Sequence, residues 1–147
     1  MSHLLLILDD DRTRLRGFDE ILPRLGPEWV IRAWRNAPSM IAEIDSLLGK
    51  AQLISLDHDL YKDSPSDPDP GSGRMIADLL SKRVPVCPVI VHSTNTDAAW
   101  GMSNELTSGK WNVELVHHTN QPAWIEELWL PVATKLMQAD GHITIGR

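Results

Sequence analysis

The chain has 147 residues, of which 42% are hydrophobic and 23% charged, and its formal net charge is −6. This composition excludes a disordered or fibrous chain, and the length predicts a single domain over residues 1–147. The negative charge argues against binding to duplex nucleic acid, which requires a basic face.

Cysteine content and hydropathy indicate the compartment. Cys87 is the only cysteine, so no internal disulfide can form and a reducing environment is expected. The N-terminal apolar run is short, lacks a basic leader and is followed by aspartates, unlike a secretory signal. No stretch approaches the length of a membrane span. We therefore expect a cytoplasmic protein without a membrane partner.

The first third of the chain alternates continuous apolar runs with a helical apolar spacing. Runs bounded by charged or turn residues predict buried strands, and apolar residues three and four apart predict helices. Pro23 falls in the last turn of the first helix, and Ser39 is a possible cap of the second. The predicted elements are, in order, strand 3–8, helix 11–25, strand 28–34, helix 37–50 and strand 51–56.

The rest of the chain repeats this alternation after a long polar loop at 61–74, rich in Pro, Gly, Ser and Asp. Pro131 is expected to bend the final helix. The tail 141–147 has no assignment, although its HITI segment could form a short edge strand. The predicted elements are helix 74–83, strand 87–92, helix 96–109, strand 111–118 and helix 123–139.

Five strands that alternate with helices predict an α/β fold of three layers, α/β/α. We take the sheet to be parallel, five-stranded and of order 2-1-3-4-5. Ligands of such open sheets bind beyond the carboxyl ends of the strands. The functional residues are therefore expected among the side chains that follow the strands.

Ionisable and polar side chains follow four of the predicted strands. With the order above, the first, third and fourth strands are neighbours, so the groups that follow them should converge. The candidates are Asp9, Asp10 and Asp11 after the first strand, Asp57, His58 and Asp59 after the third, His92, Ser93 and Asn95 after the fourth, and His117 and His118 after the fifth.

The aspartates are candidate metal ligands. Asp9, Asp10 and Asp57 would repel one another in a partly dry crevice, and a divalent cation such as Mg²⁺ or Mn²⁺ would compensate their charges. The alternative is that single carboxylates cap the helices that follow. That alternative suits Asp11 best, because a helix needs one capping carboxylate and not a cluster.

His58 and His92 are candidates for proton transfer. Two imidazoles on neighbouring strands can divide the roles of general base and general acid, with Asp57 and Asp59 orienting them. Alternatively, the histidines ligate a transition metal with one of these aspartates, or each only bonds a backbone carbonyl at its strand end.

Ser72, Ser93 and Asn95 are candidate phosphate ligands. Ser93 and Asn95 precede the helix at 96–109, and Ser72 lies between two glycines before the helix at 74–83. Helix starts with small or hydroxyl residues can bind anions, but the same residue types serve equally as caps. Arg12 and Arg74, near helix starts, could add positive charge to an anion site, although most arginines at helix ends are only solvated.

Four motifs together resemble the cyclic-phosphate processing receiver domains: LILDDDR, ISLDHDLY, a Gly-x-Gly before the third helix, and VIVHSTN. The DHD and HSxN pair is the most specific part. The layout is more distantly similar to response-regulator receivers, in which an acidic pair binds Mg²⁺ beside a phosphoacceptor aspartate. By position, Asp9 and Asp10 match the pair and Asp57 matches the acceptor.

Two departures from the signalling receivers bear on function. His92 stands where receivers have a hydroxyl residue, and His117 stands near the place of their lysine. The resemblance implies a flavodoxin-like, receiver-like fold with a phosphoesterase site that processes a cyclic phosphate on a small nucleotide or an RNA end. The alternatives are a degenerate receiver that acts as a metal- or phosphate-dependent binding or signalling module, and a toxin-like or phage-associated domain of unrelated activity.

Overall fold

The strands of the computed structural model, which describes residues 2–119 and 121–139, form one parallel sheet of order β2-β1-β3-β4-β5. This is the predicted order. Each strand is a short apolar run, as expected where helices cover both faces of the sheet. The strands are β1 (His3–Leu8), β2 (Trp29–Trp34), β3 (Ala51–Leu56), β4 (Val89–Ser93) and β5 (Val113–His117).

Five α-helices of the described chain connect and cover these strands: α1 (Arg12–Ile21), α2 (Ala37–Leu47), α3 (Gly73–Ser81), α4 (Thr96–Ser108) and α5 (Leu130–Ala139). Helix α1 ends before Pro23, and the chain continues as a 3₁₀ turn. The suggested cap of α2 was wrong. Asn36 caps this helix, because its side chain accepts a hydrogen bond from the Ser39 backbone N–H.

The predicted final helix consists of a π-helical turn, Ile125–Trp129, followed by α5. Pro131 has no backbone N–H to donate, and the widened turn immediately precedes it. The HITI segment, for which an edge strand was considered, lies outside the described residues. Among the described helices, none is both long and apolar enough to cross a bilayer.

Alternate residues of the central strands enter two separate cores. Leu6 and Leu8 face a core formed with α2, α3 and α4. Leu5 and Ile7 face the other core, with Phe18 of α1 and the residues of α5. Because side chains alternate along a strand, Asp9 and Asp57, which directly follow β1 and β3, lie on the same side of the sheet as Leu5 and Ile7. The three-layer arrangement therefore fixes where the polar residues emerge.

Candidate functional site

Asp9, Asp57 and His92 form a row across three adjacent strands. Leu8 pairs with Leu56, and Leu56 pairs with Val91, so the next residue of each strand lies in the same row. The Asp57 N–H donates to the Leu8 carbonyl at 2.9 Å and continues the ladder past the end of β1. The structure thus brings the ends of these three strands together.

Arg14 joins the carboxylates at this edge. Its Nε donates to Oδ2 of Asp9 at 3.0 Å, and its Nη2 donates to Oδ1 of the same carboxylate at 2.9 Å. The same Nη2 lies 3.3 Å from Oδ1 of Asp10 and 3.2 Å from Oδ2 of Asp57. One guanidinium therefore contacts all three predicted metal ligands.

Sequence reasoning singled out Arg12 near this helix start and missed Arg14. Asp11 caps α1, as its alternative interpretation predicted, by accepting from the Arg14 backbone N–H at 3.0 Å. Arg14 is consequently the third helical residue, a position whose side chain can reach back past the cap, as in a capping box. The Arg12 side chain is 69% exposed and pairs only loosely with Asp63 at 3.6 Å.

The neighbouring carboxylates have opposite electrostatic environments. Burial raises the pKa of Asp57 from 3.8 to about 7, and the negative charge of Asp9 adds to this effect. Burial alone would raise the pKa of Asp9 too, but the hydrogen bonds of this carboxylate to His92 and Arg14 outweigh that effect and lower its pKa to about 2. Burial raises the pKa of Asp10 as well. Asp57 can therefore exchange a proton near neutral pH, whereas Asp9 stays ionised.

His92 is part of a buried polar chain. Trp129 donates from Nε1 to Oγ of Ser55 at 2.9 Å, and that oxygen lies 2.7 Å from Nδ1 of His92. Nε2 of His92 lies 3.0 Å from Oδ2 of Asp9. A carboxylate only accepts, so Nε2 carries a proton and donates it to Asp9. The His92 side chain is 0% exposed, and both of its ring nitrogens bond inside the protein.

His58 forms a second pair, with Asp59. Its Nδ1 lies 2.7 Å from Oδ1 of Asp59, and its side chain is 21% exposed. Because the carboxylate accepts the Nδ1 proton, the basic lone pair of the neutral ring is on Nε2. The His58 backbone N–H donates to Oδ1 of Asp57 at 2.8 Å. The two predicted catalytic histidines therefore have different carboxylate partners, of which only the His58 pair reaches solvent.

The candidate phosphate ligands also make contacts within the fold. Asn95 caps α4 by accepting from the Ala98 N–H at 3.1 Å, and its Nδ2 lies 3.4 Å from Oδ2 of Asp59. Oγ of the buried Ser93 accepts from the Asn95 backbone N–H at 3.0 Å. Ser72 begins α3 without a side-chain capping bond and pairs with Asp59 in an isolated bridge.

Asp9, Asp10 and Asp57 have the chemistry of a hard cation site. Each offers one carboxylate oxygen, and these oxygens lie within 4.8 Å of one another. Oxygen donors of this kind suit Mg²⁺ or Mn²⁺. The donor set therefore fits such an ion, but Nη2 of Arg14 lies in hydrogen-bond range of all three carboxylates.

The family described as "Cyclic-phosphate processing Receiver domain" matches residues 4–108, more than half of the chain. The chain belongs to this family. The match runs from β1 to the end of α4, so it includes the candidates from Asp9 to Asn95 but not His117 and His118. No curated protein matches this chain at a significant level.

Solved structures confirm the receiver fold of this protein. A response regulator receiver domain from Rhodospirillum rubrum has a TM-score of 0.64 at 19% identity, and the alignment covers 96% of this chain and 95% of that one. The phosphorylated cyanobacterial phytochrome response regulator RcpA has a TM-score of 0.65 at 16% identity, and the alignment covers 94% of this chain and 93% of RcpA. A CheY-like receiver domain from Methanospirillum hungatei has a TM-score of 0.62 at 20% identity, and the alignment covers 97% of this chain and 100% of that one.

A cleft lies along the long loop, next to residues that bond Asp10. The Tyr61 backbone N–H donates to Oδ2 of Asp10 at 2.9 Å, which holds the loop against the site. Arg35 bonds both the Asp10 carbonyl and the Asp63 carboxylate. The cleft has a volume of about 330 Å³ and is lined in part by Tyr61, Lys62 and Arg35. Tyr61 and Arg35 therefore connect this cleft to Asp10, which does not itself line it.

Proposed function

We propose that this protein is a phosphoesterase that processes a cyclic phosphate on a small nucleotide or an RNA end. One observation supports this most directly. Asp57, whose pKa is about 7, is hydrogen-bonded to the backbone of His58, and His58 is in turn paired with Asp59. A carboxyl that is partly protonated near neutral pH, close to an imidazole that can accept a proton, supplies an acid and a base in one site.

The reaction divides between these two groups. Nε2 of His58 takes a proton from water as the water oxygen forms a bond to phosphorus. The bond from phosphorus to one ring oxygen breaks, and the Asp57 carboxyl gives its proton to that oxygen. The product is a phosphate monoester with a free hydroxyl. Asp59 holds the His58 ring and stabilises the imidazolium that forms.

In this proposal, His92 does not exchange protons with the substrate, although the sequence made it a candidate for proton transfer. The His92 ring is buried and bonded at both nitrogens. We assign it a positioning role, in which it holds the ionised Asp9 at the edge of the sheet. The charge of Asp9 in turn helps to raise the pKa of Asp57.

The negative charge of the site has to be compensated before an anionic phosphate can bind. In this proposal, the ionised Asp9 and Asp10 hold a divalent cation, Mg²⁺ or Mn²⁺, which supplies positive charge next to the phosphate, and Asp57 joins them as a ligand only after it has given up its proton. Ser72, Ser93 and Asn95 remain the proposed phosphate ligands. The proposed partner is a small nucleotide or an RNA end, not duplex nucleic acid or a membrane, and the proposed location is the cytoplasm.

The test is hydrolysis of a nucleoside 2′,3′-cyclic phosphate with Mg²⁺ or Mn²⁺ present. We expect turnover by the wild type and a loss of about 10²–10⁴-fold in kcat for His58→Gln, as for removal of a general base. His117→Gln is the matched control, since His117 is an exposed histidine at the end of β5. Equal turnover by wild type and His58→Gln, or none by the wild type, would contradict the proposal.

A second function, a degenerate receiver that binds or signals, is favoured by the placement of Asp57 at the end of β3, beside Asp9 and Asp10. In that case a small phosphodonor should form a stable adduct on Asp57, detectable as a mass increase that is absent from Asp57→Asn. Absence of an adduct in the active enzyme would leave the phosphoesterase as the function.

A further inference from the structure

Arg14 is the resident counter-ion of the acidic cluster. It makes two hydrogen bonds to the fully buried Asp9 carboxylate through Nε and Nη2. Paired guanidinium–carboxylate bonds of this kind are among the stronger hydrogen bonds in proteins. Its Nη1 also lies 3.6 Å from Oδ2 of Asp11. A single side chain thus neutralises charge contributed by three strand-end carboxylates and the cap of its own helix.

The position of Nη2 conflicts with a cation bound to the same oxygens. Nη2 lies 2.9, 3.3 and 3.2 Å from oxygens of Asp9, Asp10 and Asp57. An Mg²⁺ ion requires oxygen ligands at about 2.0–2.1 Å, so it would have to lie in the space between these carboxylates that Nη2 approaches. Two positive groups would then be in contact. The guanidinium and the ion therefore exclude each other.

We infer that Arg14 competes with the divalent cation for Asp9, Asp10 and Asp57, and that ion binding requires the guanidinium to leave the cluster. This inference rests on the cation site of the proposed function but not on the phosphoesterase chemistry. Arg14 holds the cluster together when no ion is bound, and its strength as a competitor sets the ion concentration at which the site fills.

The surroundings of Arg14 give the displaced side chain a place to go. Arg14 lines an open cleft of about 570 Å³ between α1 and the start of the final helical segment. Glu20 lines the same cleft and offers a carboxylate on the same helix. Arg14 can therefore rotate out of the cluster without passing through the core.

Direct titration with Mn²⁺ alone, followed by calorimetry or by the Mn²⁺ paramagnetic resonance signal, tests the inference. Removing a competing charged hydrogen bond of about 1.5–3 kcal/mol should tighten binding by about 10–100-fold in Arg14→Gln. Arg12→Gln is the matched control, because it removes the same charge from the same helix but makes no contact with the cluster carboxylates. We expect its Mn²⁺ affinity to equal that of the wild type.

Arg14→Lys keeps the charge but loses the paired geometry and covers the case in which Arg14→Gln folds poorly without the ion. Its Mn²⁺ affinity should lie between those of the wild type and Arg14→Gln. Asp10→Asn combined with Arg14→Gln should abolish the tight binding if the ion lies at the cluster. Equal or weaker binding by Arg14→Gln, or no binding by either protein, would overturn the inference. Cyclic-phosphate turnover is measured separately, so its absence bears on the proposed function alone.

Discussion

Asp9 and Asp57 lie side by side, but their local environments affect stability in opposite ways. The pKa of Asp9 is lowered to about 2 by its bonds to His92 and Arg14, despite burial. The pKa of Asp57 is raised to about 7, mainly by burial. A folded-state pKa below the unfolded value stabilises the protein at neutral pH, and one above it destabilises. Asp9 therefore stabilises the fold at neutral pH, whereas Asp57 destabilises it.

Replacing Asp57 with the isosteric Asn should increase stability at neutral and alkaline pH. Stability contributed by Asp57 is complete below its unfolded pKa of about 3.8 and is lost as the pH rises through about 7. The Asp57→Asn variant avoids this loss because an amide does not ionise, although the amide has one hydrogen-bond acceptor fewer than the carboxylate. We expect a gain of about 1–3 kcal/mol in the free energy of unfolding at pH 8 and none at pH 4. Urea unfolding at both pH values measures it.

Asp9→Asn is the matched opposite case. The stability contributed by Asp9 is present above pH 3.8 and is lost only as the pH falls through about 2. The amide has no negative charge to pair with the Arg14 guanidinium, so the free energy of unfolding at pH 7 should fall by about 2–3 kcal/mol. A variant as stable as the wild type at pH 7 would show that the Asp9 contacts contribute no net stability.

At the scale of elements, the start of α3 is fixed by its close approach to the DHD segment. The Gly73 N–H donates to the His58 carbonyl at 2.9 Å. A Cβ built on Gly73 would lie 1.9 Å from the Asp57 carbonyl oxygen, a distance that no packing adjustment of side chains can relieve. The second glycine of the Gly-x-Gly motif therefore allows α3 to begin directly against the site.

Gly73→Ala should destabilise the protein by about 3 kcal/mol, because the backbone of Asp57 or the start of α3 must move. Gly49→Ala is the control, since nothing lies within 4 Å of the added methyl group, and its effect should stay within about 0.5 kcal/mol. Chemical unfolding of the two variants measures the difference. Equal stabilities would mean that the contact between α3 and the DHD segment is not tight in solution.

The sequence predicted the elements well where the pattern was local. Continuous apolar runs such as LLLIL gave the strands, and Asp11 was recognised as a cap because it directly precedes a helical pattern. The cap of α2 was missed because Asn36 and Ser39 are both capping residue types three positions apart, and only backbone geometry separates them. The π-helical turn before Pro131 carries no periodic signal of its own.

The contacts of the site were less predictable because they join distant segments. The topology rule places Asp9 near Asp57, since it fixes which strand ends are neighbours. It does not fix which basic residue of α1 turns inward, so Arg12 was considered and Arg14 was not. The bonds of His92 to Ser55 and to Asp9 span 37 and 83 residues, and no local spacing indicates them.

At the scale of the whole molecule, the net charge of −6 opposes the approach of an anionic substrate. Salt screens this repulsion, since the Debye length falls from about 30 Å at 0.01 M to about 8 Å at 0.15 M. We expect kcat/KM for a cyclic nucleotide to rise a few-fold over this range of NaCl at constant Mg²⁺. A steep fall would instead indicate a basic binding face of the kind that contacts duplex nucleic acid.

The buried chain from Trp129 through Ser55 and His92 to Asp9 has an evolutionary consequence. Each of these buried side chains is the hydrogen-bond partner of the next, so the loss of one leaves a buried polar group of its neighbour without a partner. Relatives should therefore keep all four positions or exchange them in concert. We expect the side chains behind this edge of the sheet to be inherited as one unit, even though they come from four separate segments of the chain.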